Sequence, residues 1–155
     1  MAKTFTHLGR TDASGSSSVL VNSFSGYKQV VLIANWKNSG DNNKTRIKFS
    51  GYTSGYFSTQ RGSGAEREYS GQSSCYAVPS NTPTAASGYY SAIITASNYN
   101  QTTRQCSISI EAAHLGPYYQ GGVLNVNQTT TINSFLFESG GSSWTHMYID
   151  VYGVN

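Results

Sequence analysis

Two glutamates at positions 66 and 68, three histidines at 7, 114 and 146, and two cysteines at 75 and 106 are the side chains of this 155-residue sequence with the most scope for chemistry. Glu66 and Glu68 lie two apart, so on a strand they would share a face, as the carboxylate pair of a glycosidase might. They stand, however, in Gln60-Arg61-Gly62-Ser63-Gly64-Ala65-Glu66-Arg67-Glu68-Tyr69, beside two arginines and small residues, and a solvated charge cluster in a Gly/Ser loop is the better reading. His7, His114 and His146 have no neighbouring Ser, Cys or Asp in a nucleophile motif and no His-x-His or His-Glu-x-x-His spacing. Each reads as a surface or interface histidine. There is no Gly-x-x-x-x-Gly-Lys loop, and the glycines read as turn glycines. The expectation is a protein with no catalytic residue, no metal site and no cofactor.

Cys106 alternates with Ile108 and Ile110, the pattern of a small core hydrophobe, whereas Cys75 sits in Ser73-Ser74-Cys75-Tyr76 at a loop-to-strand edge. The start Met1-Ala2-Lys3-Thr4-Phe5-Thr6 lacks the apolar stretch of a signal peptide, so synthesis in a cytosol is expected and a Cys75–Cys106 disulfide is the minority reading. The aromatic residues say more. Tyr52, Tyr56, Phe57, Tyr118 and Tyr119 fall in or beside loops with glycine neighbours, and Trp36 and Trp144 sit at strand ends. Such rings offer a flat apolar face with a polar tip, suited to sugar stacking or a protein interface, and the alternative is that they cap the ends of the core. The candidate partner or glycan contacts are Tyr52, Tyr56, Tyr69, Tyr76, Tyr118, Tyr119 and Trp144.

The elements that must position them are strands. Sixteen glycines, twelve tyrosines and only 11% charged residues make a composition of short strands and many turns, and no window carries strong helix formers at helical spacing. Strand candidates are residues 4–8, 18–22, 29–35, 45–50, 90–95, 106–112, 122–126, 132–137 and 147–152, separated by Gly, Ser, Asn and Pro clusters. Residues 132–137 and 147–154 predict a closing β-hairpin. In it Met147, Ile149 and Val151 point one way and Tyr148, Asp150 and Tyr152 the other, as on a half-buried edge strand. Residues 58–86 read as one long loop, with room for a strand near 67–70 and a partner-binding role. The expectation is a single all-β domain over 1–155, with an N-terminal strand and arm over 1–25. Its fold is a two-sheet antiparallel β-sandwich of jelly-roll type with eight or nine strands.

Ten Lys and Arg against seven acids give a net charge of +3, but the basic residues are dispersed. Their one cluster, Lys44-Thr45-Arg46-Ile47-Lys48, reads as the solvated side of a strand, so nucleic acid is not an expected partner. The longest apolar run, 30–34, is far short of the roughly 18 residues of a membrane span, and no membrane insertion is expected.

The C-terminal third resembles the small β-sandwich domains of tailed-phage virion proteins. Many of these end in a strand Ile-x-Ser-apolar-x-Phe, a Gly/Ser/Asn turn with an aromatic, and a closing strand ending apolar-x-apolar-Tyr-Gly-apolar. Here those positions read Ile132, Ser134, Phe135 and Phe137, then Gly140, Gly141 and Trp144, then Ile149, Val151, Tyr152, Gly153 and Val154. Upstream, Gly26-Tyr27-Lys28-Gln29-Val30-Val31-Leu32-Ile33-Ala34-Asn35, Ile47-Lys48-Phe49-Ser50-Gly51-Tyr52 and Gly88-Tyr89-Tyr90-Ser91-Ala92-Ile93-Ile94-Thr95 are similar to the core strands of that family. Members often carry Gly-Ser or Gly-Thr before the last strand, where this chain has Thr145-His146. The resemblance implies a structural, non-enzymatic component of the virion, made in the host bacterial cytoplasm and exposed as a head decoration or cement protein or attached to the tail. It implies contacts with copies of itself, a trimer being favoured, and with other virion proteins. The alternative is a glycan-binding receptor-recognition module at a tail tip or fibre head, gripping a host surface glycan.

Overall fold

The computed structural model describes residues 4–22, 24–39, 45–49, 56–62, 65–72, 75–76, 89–103, 106–114, 119–126 and 131–155. Within them lie twelve strands and no helix: β1 (Phe5–Asp12), β2 (Ser18–Asn22), β3 (Gln29–Asn38), β4 (Thr45–Phe49), β5 (Tyr56–Gly62), β6 (Ala65–Gln72), β7 (Cys75–Tyr76), β8 (Tyr89–Ser97), β9 (Cys106–His114), β10 (Tyr119–Val126), β11 (Ser134–Ser139) and β12 (Trp144–Val154). Strands β5, β6, β7 and β10 are described by their backbone alone.

Two antiparallel sheets form, one of eight strands in the order β1-β12-β3-β8-β9-β10-β5-β6 and one of four in the order β2-β11-β4-β7. Without β5, β6, β9 and β10 the eight remaining strands are β1-β12-β3-β8 facing β2-β11-β4-β7. Successive strands of the eight then cross between the sheets, except β4 and β7, which are neighbours in the small sheet, in the pattern of a jelly roll. The two hairpins β5–β6 and β9–β10 extend the first sheet past β8.

Period-two alternation creates the core. Val30, Leu32, Ala34 and Trp36 of β3, Ala92, Ile94 and Ala96 of β8, Ile108 and Ile110 of β9, and Met147, Ile149 and Val151 of β12 all turn inward and are buried. They meet Val21, Ile47, Phe135 and Phe137 from the small sheet in one cluster. Phe135 and Phe137 are 0% exposed, and removing such a side chain from water stabilises the fold by about 1.5–3 kcal/mol.

Each of the nine expected strand regions is a strand, and residues 18–22 keep their expected bounds. Three expectations are corrected. Strands β11 and β12 are not a hairpin: β11 pairs with β2 and β4 in the small sheet, while β12 pairs with β1 and β3 in the large one. Residues 140–143 therefore cross from sheet to sheet. This crossing is held to the β1–β2 connection by Ser139 N to Ser17 O at 2.8 Å, Trp144 N to Ser16 O at 2.9 Å and Gly15 N to Trp144 O at 2.7 Å. Nor is β12 an edge strand, since β1 covers its outer side. Finally, residues 58–86 are not a single loop: β6 (65–72) contains the strand expected near 67–70, and β5 and β7 add 56–62 and 75–76. Their polar and small residues gave no hydrophobic alternation to read, and pairing with β10 supplies what intrinsic pattern did not.

At the opposite end, Gly26 adopts φ 92°, a left-handed backbone that glycine takes without strain, and aims the β2–β3 turn at the last strand. The Tyr99 hydroxyl donates to the Phe24 carbonyl and lies 3.0 Å from the Tyr27 carbonyl. The ring of Tyr27 lies directly over Gly153, where an added Cβ would meet it at 2.4 Å. Cys106 is a free thiol buried in the core, and burial pushes its pKa up to about 12.

Candidate functional site on the large sheet

The residues that alternate away from the core on β1, β12, β3 and β8 form the outer face of the large sheet. Register sets them in cross-strand rows: His146, Lys37 and Tyr89; then Asp12, Tyr148, Asn35 and Ser91; then Arg10, Asp150, Ile33 and Ile93. Three large side chains on this face stay open to solvent, Tyr89 at 51% exposure, Ile93 at 45% and Tyr148 at 36%.

The aromatic row is ordered. The His146 ring lies 6.3 Å from Tyr89 and 6.5 Å from Tyr148, with interplanar angles of 17° and 18°. A cation sits over each tyrosine: Lys37 Nζ is 5.2 Å from the Tyr89 ring centre, and Arg10 Cζ is 5.9 Å from that of Tyr148. Both distances fall within the reach of a cation–π attraction. Asn35, Trp36, Tyr89, His146 and Tyr148 line a shallow depression of about 200 Å³ in the middle of the row. The Trp36 ring itself stacks on Tyr90 at 5.5 Å and is almost fully buried.

Next to the row lies the most buried carboxylate of the described residues. Asp150 accepts from Arg10 Nε at 2.9 Å and from Arg10 Nη2 at 2.7 Å, a two-pronged ion pair, and His7 Nε2 stands 3.2 Å from the same carboxylate. The Arg10 hydrogen bond holds the Asp150 carboxyl below the ordinary carboxylate range and raises the Arg10 pKa in return. Asp12 is likewise lowered, by the backbone N–H of Ser14 at 2.9 Å. Lys37 has no carboxylate partner among the described residues. The face can thus take a flat, partly apolar group with a negative charge near Lys37. Among the described residues no three of His, Cys, Asp and Glu gather as metal ligands.

The residues expected from sequence to make contacts do not assemble here. Trp144 is corrected as a candidate contact and follows the core-capping reading: it is 0% exposed, a core residue whose Nε1 donates to Thr45 Oγ1 at 3.4 Å, because β12 begins by turning its first side chain inward. Tyr56, Tyr69 and Tyr119 belong to β5, β6 and β10 in the far half of the large sheet, and Tyr76 to β7 in the small sheet. Tyr52 and Tyr118 lie outside the described residues. Glu66 and Glu68 are on β6 rather than in a loop.

His146 was read as a surface or interface histidine and is exposed here, but its grouping with Tyr89, Lys37 and Arg10 escaped sequence reasoning because the four come from four separate strands. The outward set of β12 carried the one usable signal, since His146, Tyr148, Asp150 and Tyr152 recur with period two. No family model matches the chain, and no curated protein matches it.

Proposed function

We propose that this chain is a non-enzymatic structural component of a tailed-phage particle, exposed on it as a head decoration or cement protein or as a tail-attached unit. One observation carries the reading: a jelly roll whose large sheet turns Tyr89, Ile93 and Tyr148 outward together, in a chain with only 11% charged residues. Exposed rings and aliphatic groups grouped on one face are what a binding partner covers. The motif residues that suggested the family support it further, since Ile132, Phe135, Phe137, Ile149 and Val151 are all core residues of this sandwich.

Assembly with identical copies, three in a closed ring, is part of the proposal. Strand β6, inside the segment 58–86, is the outermost strand of the large sheet among the described residues and would offer backbone groups to a neighbouring copy. Quantitative mass spectrometry of purified particles tests the reading. Copies in fixed ratio to the major head or tail protein are expected, and absence of the chain from purified particles would overturn it. Light scattering of the isolated protein tests the ring, and a monomer at all concentrations would rule it out.

A further inference from the structure

We propose that the Tyr89–His146–Tyr148 row binds a pyranose sugar unit that carries a carboxylate, a uronic-acid type of saccharide, with Lys37 taking the charge. The inference stands on the sheet face alone and does not depend on the particle reading.

The depression of about 200 Å³ has the capacity for one six-membered ring, since a cavity of about 150 Å³ holds a benzene molecule. It is well below the roughly 300–1,000 Å³ of sites for larger ligands, and it is open rather than enclosed. One sugar unit of a longer chain fits that description, with its neighbours running on across the sheet. The C–H face of a pyranose is apolar and packs on aromatic rings, here tyrosines held nearly parallel with the His146 ring between them. Sugar hydroxyls need donors and acceptors, which Asn35, His146 and the tyrosine hydroxyls supply along the same row.

The charge of the ligand follows from the two cations. Arg10, over Tyr148, is already neutralised by Asp150 at 2.7 Å. Lys37, over Tyr89, is in contact with the ring and has no carboxylate partner among the described residues. A carboxylate on the sugar would complete that ammonium with a charge-assisted hydrogen bond, which a neutral hexose cannot make. The acids on this face do not pair with Lys37: Asp150 is engaged by Arg10 and His7, Asp12 by Ser14, and Glu111 of β9 stands opposite Ile93 rather than in the Lys37–Tyr89 row.

The test is retention of the protein on immobilised galacturonate and alginate oligosaccharides, with methyl-esterified galacturonate as the uncharged counterpart. Wild-type protein is expected to be retained by the acidic oligosaccharides about ten-fold more strongly than by the ester, the scale of one charged hydrogen bond. Tyr89→Ala combined with Tyr148→Ala should abolish retention. Lys37→Gln should reduce the preference for acid over ester to about one-fold. All three side chains lie on the outer face, so unchanged thermal unfolding serves as the folding control, and Leu20→Ala on the other sheet should bind as wild type. No retention of wild type on any of these sugars, equal retention of acid and ester, or full retention of the double tyrosine variant would each overturn the proposal.

Discussion

The two outer faces of this sandwich are built by the same alternation and have opposite surface chemistry. On the large sheet the outward positions hold Tyr89, His146, Tyr148 and Ile93. On the small sheet they hold Lys48 and Glu138, which pair across β4 and β11 at 2.7 Å, with Arg46 and Ser18 near by and Leu20 as the one strongly exposed apolar residue described. The small face pairs Lys48 with Glu138 and presents a polar hollow of about 390 Å³ lined by Ser17, Ser18, Arg46 and Glu138 among others. The large face leaves flat apolar area and an ammonium open. Folding is served equally by both, because the inward residues are interchangeable in kind. What differs is the half of the alternation that contributes least to stability, and binding is read there.

The largest effect is expected where the two faces share a foundation. Trp144→Ala should lower stability by about 3–5 kcal/mol, because it empties a fully buried site between the sheets and removes the donor to Thr45. Chemical denaturation measures it; a loss under 1 kcal/mol would mean that the corner repacks and that the faces are built independently.

A smaller loss is expected at the other end of the sandwich. Gly153→Ala would drive a methyl group into the Tyr27 ring, at a cost of about 1–3 kcal/mol from overpacking. Adding Tyr27→Ala should return part of that loss, and strict additivity of the two changes would refute the close approach.

The acid limb separates the faces by their charges. Asp150 has a depressed folded-state pKa, so its contribution is complete above the unfolded carboxylate value near 3.9 and is lost as pH falls through the lower folded value. Asp150→Asn should therefore flatten the loss of stability below about pH 4, as followed by thermal melts from pH 2 to 6. An unchanged acid limb would show that the Arg10 pair contributes nothing to folding.

The smallest effects should mark the contrast most sharply. A double-mutant cycle on Lys48 and Glu138 is expected to give a coupling of about 0.2–1 kcal/mol, the range of exposed pairs. Tyr89→Ala should change stability by no more than about 0.5 kcal/mol while removing part of the sugar platform. A large destabilisation by Tyr89→Ala would make that ring a structural residue and erase the distinction between the two faces.

How much was legible depended on the range of the interaction. Met147, Ile149 and Val151, and Cys106 with Ile108 and Ile110, announce their buried face by local alternation, and each is buried as expected. Partners across strands are a different matter. Nothing near Phe137 says that the next strand will join the opposite sheet, because a Gly/Ser connection suits a hairpin turn and a crossing equally well. Trp144 was misread for a related reason: an aromatic beside a turn gives no sign of which way its first strand position points. The platform combines Lys37, Tyr89, His146 and Arg10 through pairings of β1 with β12, β12 with β3 and β3 with β8, which depend on tertiary contacts alone.

Phe5 of β1 is paired with Val154 of β12, so the first described strand starts beside the point where the last one ends, at one end of one sheet. Directly opposed residues of an antiparallel pair stand only about 5 Å apart. A linker of a few residues would join Val154 to Phe5, and new ends opened elsewhere would give a circular permutant of the sandwich 5–154. The same proximity makes the domain an insertable cassette: spliced into a surface loop of another protein, it would need that loop to widen by little more than the spacing of two strands.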